Sequence, residues 1–177
     1  MARDPKVERE FRAFVAGRSV SLQRTAYLLT GDWASAEDLV QTTLMKTYLA
    51  WTRAGGIEAV EPYARKVMVN TATSWWRRKW RGEWPTADMV ERSLPDGADE
   101  WLERETVWQL IKTLPAGQRA VLVLRFYEDL TEAETARLLG VSVGTVKRQA
   151  SRAFDSLRKR LGVPGTDAAM VMRGRKK

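Results

Sequence analysis

DLTEAETARLLGVSVGTVKRQASRAFDSLRKRL, residues 129–161, reads as a helix-turn-helix. Thr131 suits the N-cap of a first helix, and Glu134 three residues later completes a capping box. Ala133, Ala136 and Leu139 recur at helical spacing and give that helix an inner face. Gly140 follows the last periodic residue, where a left-handed backbone ends a helix. Ser142 then suits the cap of a second, longer helix. Two short helices crossing at a tight angle need small residues at the crossing and a glycine in the turn, and this stretch supplies both.

The second helix divides by angle. At about 100° per residue, Val143, Val146, Ala150, Ala153, Leu157 and Leu161 fall on one side. Arg148, Arg152, Asp155 and Lys159 lie opposite, flanked by Thr145, Ser151 and Arg158, with Lys147 at the edge. An apolar stripe backs onto a core while a basic, hydroxyl-rich face looks outward, as a helix in a DNA major groove requires. Arginine reads guanine through two parallel hydrogen bonds, so Arg148 and Arg152 are expected base readers, with Thr145 and Ser151 making short contacts. Lys147 and Arg158 are expected phosphate anchors. A solvated helix in an all-α bundle is also charged on one face; the caps, the turn glycine and the basic face together favour nucleic acid.

The whole chain narrows the function classes. It has 177 residues, no cysteine and no histidine. Disulfides and thiolate metal sites are excluded, and the commonest general base and metal ligand is missing. No apolar run approaches the ~20 residues of a membrane span, and the start, MARDPKVEREF, lacks a signal-peptide core. The expectation is a cytoplasmic protein without membrane insertion, catalytic residues, cofactor or metal. A net charge of +8 suggests a polyanionic partner.

Charge also divides the chain. Residues 1–81 carry 14 Lys/Arg against 8 Asp/Glu, residues 82–103 carry 1 against 7, and residues 104–177 carry 15 against 7. Two basic blocks joined by an acidic segment with Pro85, Pro95 and Gly97 predict two domains and a linker. The expected fold is all-α, with an N-terminal helical domain over 1–81, an acidic linker over 82–102, a C-terminal helix-turn-helix domain over 103–162 and a basic tail over 163–177.

In the first block, Val7, Phe11, Phe14 and Val15 predict a helix ending at Gly17, and Leu22, Ala26 and Leu29 predict a second from Ser19 to Thr30. Ser35 is expected to cap the next helix, whose stripe of Leu39, Val40, Thr43, Leu44, Thr47, Tyr48 and Trp51 runs to Arg53. Pro62 is expected to open another that reaches Trp80, with Ala64, Val67, Met68, Thr71 and Trp75 inward. Val69, Thr73, Trp76 and Trp80 then fall on its outer face beside Lys66 and Arg77. Exposed tryptophans near arginines suit stacking on unpaired bases or a protein interface. The run Arg77-Arg78-Lys79-Trp80-Arg81 suits phosphates. The second block is expected to open with a helix over 100–113, and Pro115 starts another, through Tyr127.

Two stretches carry a family resemblance. AEDLVQTTLMKTYLAW (36–51) resembles the core-polymerase-binding helix of bacterial sigma factors, and LPAGQRAVLVLRFYEDLTEAETARLLGVSVGTVKRQASRA (114–153) resembles their C-terminal helix-turn-helix domain. Length and two-domain layout point to the extracytoplasmic-function (ECF) group. The chain departs from the common pattern at Thr42, Leu44 and Gln149, where acidic, Phe and basic residues are usual. The resemblance implies an alternative sigma factor that binds core RNA polymerase and promoter DNA, and allows an anti-sigma factor as a further partner. Asp38, Leu39 and Gln41 would dock on the clamp helices of the polymerase largest subunit. The loop from Arg53 to Glu61 would hold a flipped base of the downstream (−10) element, and the helix bearing Asn70 and Arg77 would lie along it. The acidic linker would enter the polymerase cleft, and the recognition helix would read the upstream (−35) element. Two other classes compete: a stand-alone helix-turn-helix regulator, and a nuclease holding Mg²⁺ on Asp32, Glu37 and Asp38. Acidic residues in a helix's first turn are ordinarily there for the dipole.

Overall fold

The structure is a computed structural model and describes residues 5–54, 56–80 and 106–162. Among the described residues it holds seven α-helices and no strand. Three long helices form the N-terminal unit: α1 (Pro5–Thr30), α2 (Trp33–Ala54) and α3 (Val60–Trp80). Four shorter ones form the C-terminal unit: α4 (Thr106–Ile111), α5 (Ala116–Leu122), α6 (Glu132–Leu139) and α7 (Val143–Leu161). A π-helical turn, Val123–Tyr127, extends α5. The expectations for the acidic linker, the helix start at 100–105 and the basic tail lie outside the described residues.

Helix α1 corrects one expectation. It runs unbroken through Gly17 instead of stopping there. A mid-helix glycine costs only about 1 kcal/mol relative to alanine, and the inner stripe continues across it. Val7 and Leu22 are buried, with Phe11 and Phe14 between them packing on α2. The Phe11 ring lies 5.0 Å from Tyr48 and 5.7 Å from Trp51, an aromatic cluster that clamps α1 to α2.

Helix α2 starts three residues earlier than expected. Its cap is Asp32, whose carboxylate accepts a 2.8 Å hydrogen bond from the Ser35 amide. Aspartate is among the strongest N-caps, and the preceding Gly31 takes the left-handed φ of 88° that the reversal from α1 needs. Trp33, now inside the helix, stacks on Tyr27 at 4.2 Å. The inner stripe is otherwise as expected, with Leu39, Val40, Thr43, Thr47 and Trp51 buried.

Helix α3 differs most. Ala64, Met68 and Thr71 are buried as expected, but so are Val69 and Ala72, and Trp76 is half-buried against the core. The cause is a second neighbour. The C-terminal unit packs against the side of α3 that α2 leaves open, and one apolar cluster joins Leu22, Tyr27, Met68 and Val69 to Ile111, Leu122 and Leu124. No periodicity within α3 announces contact with helices more than forty residues away. The Trp80 side chain and Arg81 lie outside what is described.

Candidate nucleic-acid interface

The helix-turn-helix is built as its residues dictate. Thr131 Oγ1 accepts from the Glu134 amide at 3.2 Å, and the Glu134 carboxylate accepts from the Thr131 amide at 2.7 Å. That reciprocal box holds the Glu134 carboxyl below its ordinary range, chiefly through the Thr131 hydroxyl. Gly140 ends α6 at φ 66°, in the left-handed region. Within α6 the buried residues are Thr135 and Ala136; Ala133 is exposed, a correction to the expected inner face. The buried stripe of α6 therefore centres on Thr135 and Ala136, rotated by about 50° from the expected one at 100° per residue.

Ser142 caps α7. Its hydroxyl accepts from the Thr145 amide at 3.1 Å and shares a 3.0 Å hydrogen bond with Thr145 Oγ1. Thr145 Oγ1 in turn accepts from Arg148 Nη2 at 3.3 Å. A continuous polar chain therefore runs from the helix cap to an arginine of the outward face. Val146, Ala153 and Leu157 are fully buried beneath it, so α7 cannot roll without opening the core. Val143, expected inside, is 39% exposed at the first position of α7.

On the outward side, Lys147, Arg148, Ser151 and Arg152 are all exposed. Lys147 lies 3.7 Å from Glu132 across the turn, a pair loose enough to exchange for phosphate. Arg152 makes no ion pair with a described residue. Thr145 is half-buried by its role in the cap, and Arg158 is half-buried, bonded to Asp155 at 2.7 Å and to the Phe154 carbonyl at 3.4 Å.

A second polar face lies on α3. Lys66, Asn70 and Arg77 fall within about 40° of one another at 100° per residue and are all exposed, with Arg78 exposed beside them. The turn before α3 is pinned by Gly56 N donating to the Trp51 carbonyl at 3.0 Å and by an Arg18–Glu61 pair at 2.8 Å.

The expected docking helix presents Asp38 and Gln41 to solvent. Leu39 is 0% exposed and sits in the core, so its side chain supports this surface from below and is not part of it. Two residues missed in the sequence take its place: Met45, 57% exposed, and Leu49, 46% exposed. They continue the line of Asp38 and Gln41 along α2, and the signal was there in the phase of the helix, since 38, 41, 45 and 49 share one face. Lys46 turns toward α3 and donates to Thr71 Oγ1 at 3.2 Å.

Comparison with known proteins follows the same division of the chain. Residues 19–82 match the family model described as Sigma-70 region 2, and residues 104–157 match Sigma-70, region 4. An RNA polymerase sigma-E factor of Streptomyces avermitilis is 37% identical over 164 residues, 93% of this chain and 92% of that protein. The ECF RNA polymerase sigma factor SigL of Mycobacterium tuberculosis is 32% identical over 155 residues, 83% of this chain and 86% of its own length. The chain belongs to the extracytoplasmic-function sigma factors.

This sigma factor therefore directs transcription initiation, and the reading as a stand-alone regulator is set aside by the region 2 match, which covers α2 and α3. The solved sigma factor RpoE of Bartonella quintana, in complex with the anti-sigma factor NepR, shares its fold with a TM-score of 0.64 at 22% identity, over 88% of this chain and 99% of that one. Asp32, weighed above as a metal ligand, is occupied in capping α2 of this sigma factor.

Proposed function

We propose that this sigma factor reads a promoter through two faces and holds core RNA polymerase with a third, without catalysis of its own. Arg148 and Arg152 read bases of the upstream element in duplex form, with Thr145 and Ser151 beside them. Lys147 and Arg158 anchor phosphates. Asn70, Arg77 and Arg78 follow the downstream element, where DNA is opened. Asp38 and Gln41, continued by Met45 and Leu49, dock on the polymerase. The segment 82–102 joins the two reading units, and an anti-sigma factor is a further partner, as for the solved relative.

The observation that carries this reading is the outward face of α7. Four polar side chains, Lys147, Arg148, Ser151 and Arg152, stand exposed on a helix whose opposite side is buried. One such module buries only roughly 600–1,000 Å² on DNA, so it binds weakly alone, and tethering through polymerase raises its effective concentration. The test is co-purification with core polymerase. Asp38→Arg combined with Gln41→Arg should abolish it while far-UV helicity stays unchanged. Retention of polymerase by that double variant would move the docking surface off α2.

A further inference from the structure

The first turn of α7 holds two residues that the fold does not ask for. Val143 opens the helix 39% exposed and belongs to neither apolar cluster. Gly144 follows it and is exposed as well. A Cβ built on Gly144 would meet nothing nearer than Ser142 Oγ at 3.8 Å, so no neighbour requires a glycine there. Its backbone does not require one either: the left-handed glycines of this unit are Gly140 and Gly162. Valine and glycine are both poorer helix formers than alanine, and Ser142 already supplies the cap. Such conflicts between local preference and local structure mark positions kept for function.

Both residues lie on the reading face. With Val143 at about 0° and 100° per residue, Lys147 and Ser151 follow at about 40° and 80°, and Arg148 and Arg152 at about 140° and 180°. Gly144 falls at about 100°, in the middle of that arc, while the buried Val146, Ala153 and Leu157 lie at about 280–320° on the far side. Val143, Lys147 and Ser151 thus form one i, i+4, i+8 row, and its apolar member stands at the helix N-terminus. The N-terminal residues of a recognition helix are the ones that meet base edges.

A base edge in the major groove offers donors and acceptors, and one apolar group, the methyl of thymine. Valine can donate no hydrogen bond and accept none through its side chain. Pressed on cytosine or guanine it would cover polar atoms and leave them unpaired, which is penalised. Pressed on thymine it covers a methyl group. A valine side chain is short, so it reaches the groove floor only if the helix comes close. A Cβ at Gly144 would project from the centre of the face and hold the helix off, whereas glycine permits a close approach of backbone to a ligand.

We propose that the first turn of α7 seats on a thymine of the upstream element, with Val143 covering its methyl group and Gly144 leaving the room for contact. This rests on the promoter-reading function proposed above and adds to it an apolar base reader beside the two arginines.

The test uses holoenzyme and the duplex upstream element that the unaltered protein selects from a random pool. Each thymine on either strand is replaced singly by deoxyuridine, which removes the methyl and keeps every hydrogen-bonding group. One thymine should weaken binding about fourfold when replaced, the effect of uncovering one buried methyl. Val143→Ala should bind the thymine and deoxyuridine duplexes alike at that position, and Val143→Thr, which keeps the shape and one methyl, should retain part of the difference. Gly144→Ala should keep or raise Tm and yet lower affinity about tenfold, as expected when a base contact is lost. The proposal is overturned if no deoxyuridine is felt, if Val143→Ala feels it as the parent does, or if Gly144→Ala binds as tightly as the parent. Should Arg148→Ala or Arg152→Ala change the selected sequence while no thymine passes this test, the promoter reading stands and the inference fails. Should the parent holoenzyme select no upstream element, both fall.

Discussion

Replacing Ser142 with alanine removes the side chain that both starts the recognition helix and tethers one of its arginines. Ser142 Oγ accepts from the Thr145 amide at 3.1 Å, and the Thr145 hydroxyl it engages holds Arg148 at 3.3 Å. The lost cap costs about 1 kcal/mol, which in a chain of this size lowers Tm by about 2–4 °C. The Thr145–Arg148 contact is exposed and long, so it adds little to stability. Its effect falls on binding, because an untethered arginine must be ordered when it meets DNA, at roughly 0.5–1.5 kcal/mol. Affinity for the upstream element should therefore fall about three- to tenfold. Thermal unfolding of the full chain reads the first effect, and competition between promoter variants for holoenzyme reads the second. Thr145→Val separates them: it keeps the backbone amide and so the cap, but loses the hydroxyl, and should weaken binding with little change in Tm. An unchanged Tm in Ser142→Ala means that the cap does not form. Normal binding by Thr145→Val means that the polar chain does not position Arg148, and that part of the reasoning fails.

Selecting upstream elements from a random pool with holoenzyme should show Arg148→Ala or Arg152→Ala relaxing preference at one position each, by roughly 1–3 kcal/mol. Lys147→Ala should weaken all sequences alike and reduce the salt slope by about one; equal relaxation at every position by all three would mean that no side chain of α7 reads a base. The depressed Glu134 carboxyl makes the α6 cap pH-dependent. A group whose folded pKa lies below its unfolded value contributes stability that is complete above the ordinary carboxylate range and is lost as pH falls through the lowered value. Acid titration followed by NMR should place the Glu134 transition below that of exposed glutamates, and Thr131→Val should raise it; coincidence with the exposed residues would contradict the capping box.

The helix-turn-helix was readable because its signals are local. A capping box, a left-handed glycine and a serine cap each lie within four residues of what they control. The α2 stripe was readable for the same reason, through a single uninterrupted period. The misplaced boundaries have local causes too. Gly17 looked like a stop, but a helix with a continuous buried stripe tolerates one glycine, and Asp32 outcompeted Ser35 for the cap of α2. What the sequence could not reveal is the contact between units. Val69 and Trp76 read as outward because α3 has a second buried side, created by helices far along the chain. Leu39 is the converse case. Its place in a family motif suggested a contact residue, and its place in the helix period put it in the core. Glu128 and Arg65, paired at 2.9 Å between the units, gave no signal as an interface, since each looks like one charged residue among many until the two units meet.

Run-off transcription is the most direct test of the central claim. Purified core polymerase would be incubated with a library of promoter-bearing fragments, with and without this sigma factor, and start sites would be mapped. Transcripts from defined starts should appear only when the sigma factor is present. The fragments that give them should share two spaced elements, and Arg148→Ala or Arg152→Ala should change the upstream one alone. A transcript pattern identical to that of core polymerase by itself would contradict the account.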